Sequence, residues 1–136
     1  MRDLRDSTDS TDLRDRCTEL PIYHIASTTD WHQAQAEGEY RTSTRGRTLA
    51  DQGFIHASDL PQLLPTANLI YADQDPATLI VLVIDPTKLP AGVEVKYEPV
   101  PGAPAPFPHI YGPITPDAVI ETLSLIRDGE GKFGLA

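Results

Sequence analysis

Apolar and polar positions alternate along this chain in short runs, each about the length of a strand or of two helical turns. Residues 20–25, Leu-Pro-Ile-Tyr-His-Ile, predict a first strand, with Pro21 where a sheet edge tolerates it. Thr28, Thr29 and Asp30 supply a cap for a helix. Trp31, Ala34 and Gln35 follow at helical spacing, and Gly38 ends the helix. Residues 40–44 read as extended, Arg45-Gly46-Arg47 as a turn, residues 48–52 as one helical turn, and residues 54–57 as a short strand. Ser58-Asp59-Leu60-Pro61 starts a second helix: Ser58 caps it, Asp59 suits its positive end, and Pro61 falls in its first turn. Leu63, Leu64, Ala67, Leu69 and Ile70 give that helix an apolar face, which Pro65 kinks or delays.

Residues 78–84 predict a central strand, β-branched and almost wholly apolar, ended by Asp85-Pro86. Residues 93–97 alternate apolar and charged side chains, so one face of that strand is wet. Residues 99–108 hold five prolines and predict an extended loop without ladder donors. Residues 109–111 read as a brief strand, Thr115-Pro116-Asp117 as a helical turn, and residues 120–126 as the closing strand. Residues 1–19 repeat Arg-Asp and Ser-Thr-Asp units with few apolar side chains, which predicts a disordered polar tail. The folded domain is expected over residues 20–127 and a flexible C-terminal tail over residues 128–136. The order of elements predicts a small single α+β domain with a curved or split, mainly antiparallel sheet and two to three short helices.

Composition narrows the function classes. At 136 residues and 40% hydrophobic, the chain can bury one core without staples, and its single cysteine, Cys17, excludes an internal disulfide. A net charge of −9 repels phosphate backbones, so bulk nucleic-acid binding is not expected. The longest apolar run, residues 79–84, is too short to cross a bilayer, and the charged N-terminus has no apolar stretch like that of a signal peptide. A cytoplasmic protein without a membrane partner is the expectation.

The candidate chemistry lies in three histidine motifs: Pro21-Ile22-Tyr23-His24-Ile25-Ala26, Gly53-Phe54-Ile55-His56-Ala57-Ser58 and Phe107-Pro108-His109-Ile110-Tyr111-Gly112-Pro113. Each sets one imidazole among apolar residues, and imidazole is the side chain suited to proton transfer near neutral pH. His24, His56 and His109 are therefore the candidate catalytic residues, expected to converge on one pocket. Tyr23, Tyr40, Arg41, Ser58 and Tyr111 are the candidate ligand-binding residues. Arg41 would clamp an anion, and Ser58 would offer free amides at a helix start. The expected partner is a small, anionic ligand. His32, beside Trp31, reads as a surface residue. Three imidazoles would also suit zinc, but short-range ligand spacing is missing and no metal is assigned.

The motifs Ile22-Tyr23-His24-Ile25, Gly38-Glu39-Tyr40, Gly53-Phe54-Ile55-His56-Ala57-Ser58 and Phe107-Pro108-His109-Ile110-Tyr111-Gly112-Pro113, in this order over roughly residues 20–126, resemble the domain of unknown function 952 family. The resemblance implies a bacterial-type protein with a fold like that of ADP-ribosyltransferase catalytic domains, which hold NAD in the cleft of a split sheet. It implies NAD as the candidate substrate, with His24 against the ribose or amide and Tyr40 or Tyr111 stacked on a flat ring. Glu121 holds the position of the late acid, and Arg41 with His24 and His56 is closer to the related RNA 2′-phosphotransferases. Two functions stay open: a transferase acting on NAD, another nucleotide or a phosphorylated ligand, and a non-catalytic ligand-binding module with structural histidines.

Overall fold

Six consecutive apolar residues, Leu79–Ile84, form the strand around which the rest is arranged. The computed structural model describes residues 20–136; the tail expected over residues 1–19 lies outside them. In chain order the elements are β1 (Ile22–Ser27), α1 (Thr28–Glu37), β2 (Thr42–Thr44), β3 (Arg47–Thr48), α2 (Leu49–Gln52), β4 (Ile55–His56) and α3 (Leu60–Ile70). Then follow β5 (Leu79–Ile84), β6 (Glu94–Glu98), β7 (Phe107–Tyr111), β8 (Val119–Leu123), β9 (Leu125–Arg127) and β10 (Phe133–Leu135). Three short 3-10 turns, each opened by a proline, punctuate the second half. This is a small α+β domain with three helices, and every strand pairing among the described residues is antiparallel.

Two three-stranded sheets carry the fold, ordered β1-β5-β8 and β4-β7-β6. They meet at one bridge, where Tyr23 and Ser58 exchange both backbone hydrogen bonds (2.8 and 2.7 Å). The first sheet is covered on both faces, and its period of two sorts the core. Ile22, Ala26, Leu82 and Ile84 face a cluster with Trp31 and Ala34 of α1, Tyr40, Ile55, Ile110 and Ile114. Ile25, Leu79 and Val81 face the other way, onto Leu63 and Ala67 of α3, Tyr71, Leu125 and Phe133.

The local signals explain most element ends. Gly38 stops α1 in the left-handed region (φ 88°), its N–H reaching the carbonyl of Ala34. Thr48 and Asp51 close a capping box on α2. Two caps sit one residue away from expectation. Ser27, not the Thr28–Asp30 stretch, caps α1, its Oγ accepting from the Asp30 amide at 3.0 Å. Asp59, not Ser58, caps α3: the Ser58 carbonyl is taken by the Tyr23 amide, and the Asp59 carbonyl accepts from the Gln62 amide. α3 runs through Pro65, which sits on its exposed side.

The end of the chain departs furthest from expectation. The predicted closing strand is two strands, β8 and β9, broken at Ser124. The predicted flexible tail contains β10, which pairs with β9 and buries Phe133 to 3% exposure. The Arg127 guanidinium lies 4.4 Å from the centre of the Phe133 ring and donates to the carbonyls of Ala72 and Gln74. Asn68 Oδ1 of α3 accepts from the Phe133 amide at 2.8 Å. A single aromatic residue in a polar stretch carries no periodicity, so pattern could not show it. Phe133→Ala should lower stability by about 3 kcal/mol in urea unfolding. A loss under about 0.5 kcal/mol, the range of ordinary surface substitutions, would mean that β10 contributes nothing to the core.

Candidate functional site

His24 stands in the middle of β1 and is 3% exposed. Its Nδ1–H donates to the carbonyl of His56 (2.5 Å), and its Nε2 accepts from the hydroxyl of Tyr40 (2.7 Å). This assignment fixes the tautomer, since a carbonyl can only accept. Burial holds the ring well below the usual histidine range, at about 4, against the opposing pull of the His56 carbonyl. Both ring nitrogens are therefore spent within the scaffold. Tyr40 is buried in turn, and burial raises its phenol far above the ordinary range.

His56 pairs directly with His109 across β4 and β7, their ring centres 5.2 Å apart and close to perpendicular. Its Nε2 lies 3.1 Å from Gln52 Oε1, so Nε2 carries the hydrogen and Nδ1 presents a lone pair. Partial burial, and then the neighbouring His109, lower its protonation range. His109 is buried, its Nδ1–H held by Glu98 Oε1 at 2.7 Å. The same Glu98 oxygen accepts from the Tyr111 hydroxyl at 2.5 Å. Those two donors depress the Glu98 carboxyl, and Glu98 raises the Tyr111 phenol. Phe54 stacks on His109 at 4.1 Å and touches the rings of His56 (4.8 Å) and Tyr111 (5.4 Å). His109 Nε2 is buried without a hydrogen-bond partner.

The three histidines thus meet as a chain, His24 to the His56 carbonyl and the His56 ring to His109. They do not share one cavity. A cleft of about 720 Å³ opens between β1, α3 and the proline-rich loop at residues 99–106. Tyr23, His24, His56 and Ser58 form its polar side, while Pro61, Pro65, Leu69, Val100, Pro104 and Phe107 are among its apolar walls. His109, Tyr40, Tyr111 and Arg41 are not among its lining residues. The loop is tied down at both ends to the first turn of α3: Gln62 Nε2 donates to the Pro106 carbonyl (2.9 Å), and the Tyr97 hydroxyl donates to Asp59 Oδ1 (2.8 Å).

Several sequence candidates therefore occupy other positions than an anion-binding pocket requires. Arg41 is exposed and paired with Glu39 at 2.9 Å. Ser58 gives its amide to the Tyr23 carbonyl and has none to offer a ligand. Glu121 is exposed on β8, opposite Val83. His32 is on the surface, as expected. Among the described residues no group of three His, Cys, Asp or Glu side chains could hold a metal, and no helix is long and apolar enough to cross a membrane. Sequence reasoning passed over Gln52, Glu98 and the loop as a cleft wall. Glu98 had a signal: it ends the wet face of β6 and alternates with Glu94 and Lys96.

Residues 25–122 match the family described as "Protein of unknown function (DUF952)". No curated protein matches the chain. It is similar to the crystal structure of protein CC0527 from Caulobacter crescentus, with 31% identity, 84% of this chain and 93% of that chain covered, and a TM-score of 0.69. A double mutant of the same protein gives the same identity and coverage and a TM-score of 0.68.

The buried neutral imidazole makes stability depend on pH. The folded-state value of His24 lies below its unfolded value of 6.5, so the unfolded chain binds the extra proton. The contribution is fully present above about 6.5 and is lost as pH falls towards about 4, amounting to about 3 kcal/mol. Urea unfolding between pH 7 and pH 4 should show this slope, and His24→Gln should flatten it while lowering stability at pH 7. An unchanged slope in the variant would assign the acid lability to other groups.

Proposed function

We propose that this chain, which belongs to the DUF952 family, is a small-ligand-binding protein whose cleft takes the planar end of a nucleotide of the NAD class, without turning it over. The observation that carries this reading is the cleft itself: about 720 Å³, apolar on most sides, with His56 and Ser58 on its polar side. That combination of apolar walls and a few convergent polar groups is what small-molecule sites are built from. The proline rings and Phe107 offer flat apolar surface for a planar ring. What supports a nucleotide is the junction of two antiparallel sheets beside His24, with a cleft at its edge.

Glycosyl transfer from NAD is the competing reading, and the juxtaposition of His56 with the Glu98-held His109 favours it, as an acid–base pair would serve such chemistry. Two observations weigh against it. A ribosyl cation needs a carboxylate close by, and Glu121 is exposed on β8, outside the cleft lining. The pyrophosphate needs a clamp, and Arg41 is paired with Glu39 on the surface. Binding without turnover is the function the geometry supports better.

Calorimetric titration with NAD, adenosine and AMP should show saturable binding to the full chain. Ala105 is exposed on the loop and lines the cleft, so Ala105→Trp should fill the cleft without disturbing the core. It should weaken binding by about tenfold or more, with melting unchanged within about 2 °C. No nicotinamide should be released from NAD above the buffer rate. Failure of all three ligands to bind at millimolar concentration overturns the binding proposal. Steady release that His56→Ala abolishes would replace it with the transferase reading.

A further inference from the structure

Much of the polar side of the cleft is already spent within the scaffold, and no cation stands on it. His24 gives Nδ1–H to the His56 carbonyl and receives the Tyr40 hydroxyl, so it presents nothing to a ligand. The Ser58 amide is consumed by Tyr23. At the start of α3 the Asp59 amide goes to Gln62 Oε1 (2.9 Å), the Gln62 amide to the Asp59 carbonyl (2.9 Å), and Pro61 has no N–H. One N–H of the Gln62 side-chain amide is spent on Pro106. Among the described residues that line the cleft, no side chain is Lys, Arg, Asp or Glu.

The Tyr23 and Thr66 hydroxyls also line the cleft, and two further polar atoms stand close together on one segment. His56 donates Nε2–H to Gln52, which leaves Nδ1 as a lone pair without a partner among the described residues. The Ser58 hydroxyl likewise has no partner there and can both donate and accept. His56 and Ser58 are two positions apart on extended chain, so their side chains leave the same face. An acceptor beside a hydroxyl is the complement of a primary amide: the amide N–H₂ donates to His56 Nδ1, and its carbonyl accepts from Ser58 Oγ–H.

Building on the ligand site proposed above, we infer that the cleft selects an uncharged, planar carboxamide or an amino-substituted heterocycle and rejects the carboxylate of the same shape. A carboxylate would meet the His56 lone pair with a second acceptor. It would also give up its hydration to apolar walls with no cation in return. By the same reasoning an anionic ligand, the partner expected from sequence, would bind through an uncharged part with its charge left in solvent.

Benzamide and benzoate separate the two classes, because they share ring and shape and differ in donor and charge. Titration of each into the full ¹⁵N-labelled chain at pH 7, followed by amide chemical shifts, should show benzamide perturbing residues of the cleft. Benzoate should bind at least about tenfold more weakly. Ser58→Ala removes one contact without touching the core hydrogen bonds and should weaken benzamide by about fivefold while leaving benzoate unchanged. Benzoate binding as tightly as benzamide overturns the inference, and so does a Ser58→Ala variant that binds benzamide as well as the parent. Perturbation by neither compound also overturns it. The Ala105→Trp comparison with NAD then decides separately whether the cleft is a ligand site at all.

Discussion

A single neutral imidazole joins three stretches of this chain that are distant in sequence. His24 on β1 reaches the carbonyl of His56 on β4 and the hydroxyl of Tyr40, whose backbone in turn bridges to Ile114. Among the described residues the two sheets share one backbone bridge, Tyr23 with Ser58, so this side-chain contact adds to the specificity of their junction. A hydrogen-bonded histidine serves better than an apolar residue, because β4 is a two-residue strand whose carbonyl would otherwise be buried without a partner. The same contact determines what His24 cannot do. A ring with both nitrogens engaged within the scaffold offers neither to a ligand, and the histidine of the cleft with a nitrogen left over is its neighbour.

That neighbour, His56, sits between two environments. On one side is the cleft. On the other is a stack of Phe54 and His109 fixed by Glu98 and Tyr111. Glu98 holds His109 in one tautomer, and Phe54 holds the plane of its ring. The Lys96 ammonium lies 4.9 Å from the centre of the Tyr111 ring, so the outer layer has its own charge balance. The effect on His56 is indirect but physical: its ring packs edge-on against an immobilised partner and has one hydrogen-bonded orientation. A ligand that uses Nδ1 finds the atom already placed, which lowers the ordering cost of binding.

How much of this could be read from the chain depends on the range of the interaction. Local signals carried well. β5, the glycine end of α1, the single turn of α2 and the wet face of β6 all follow from neighbours within a few residues. That His24, His56 and His109 lie close together was legible, because each motif isolates an imidazole among apolar residues, but the single pocket expected of them was not, since His109 is absent from the cleft lining. Long-range pairings were not. Ser58 reads as a helix cap until Tyr23 claims its backbone, and Arg41 reads as an anion clamp until Glu39 claims its guanidinium. Phe133 in a polar tail, and a proline loop as the wall of a cleft, have no periodic signature. Their roles come from what α3 and β9 present to them in space.

The exterior and the cleft select in the same direction. A chain of net charge −9 repels polyanions over about a Debye length, roughly 8–10 Å at ordinary salt. A cleft without a lining cation gives nothing back once an anion has crossed that distance. A phosphorylated ligand can therefore enter only with its charged part left in water and its neutral part inside. In the proposed complex the phosphates of a nucleotide would stay in solvent, which screens them. Long-range field and short-range hydrogen bonding do not always agree in proteins. Here they do: the chain carries an excess of acids, no cation lines the cleft, and Arg41, Arg45 and Lys96 are committed to Glu39, Asp73, and Glu94 with the Tyr111 ring.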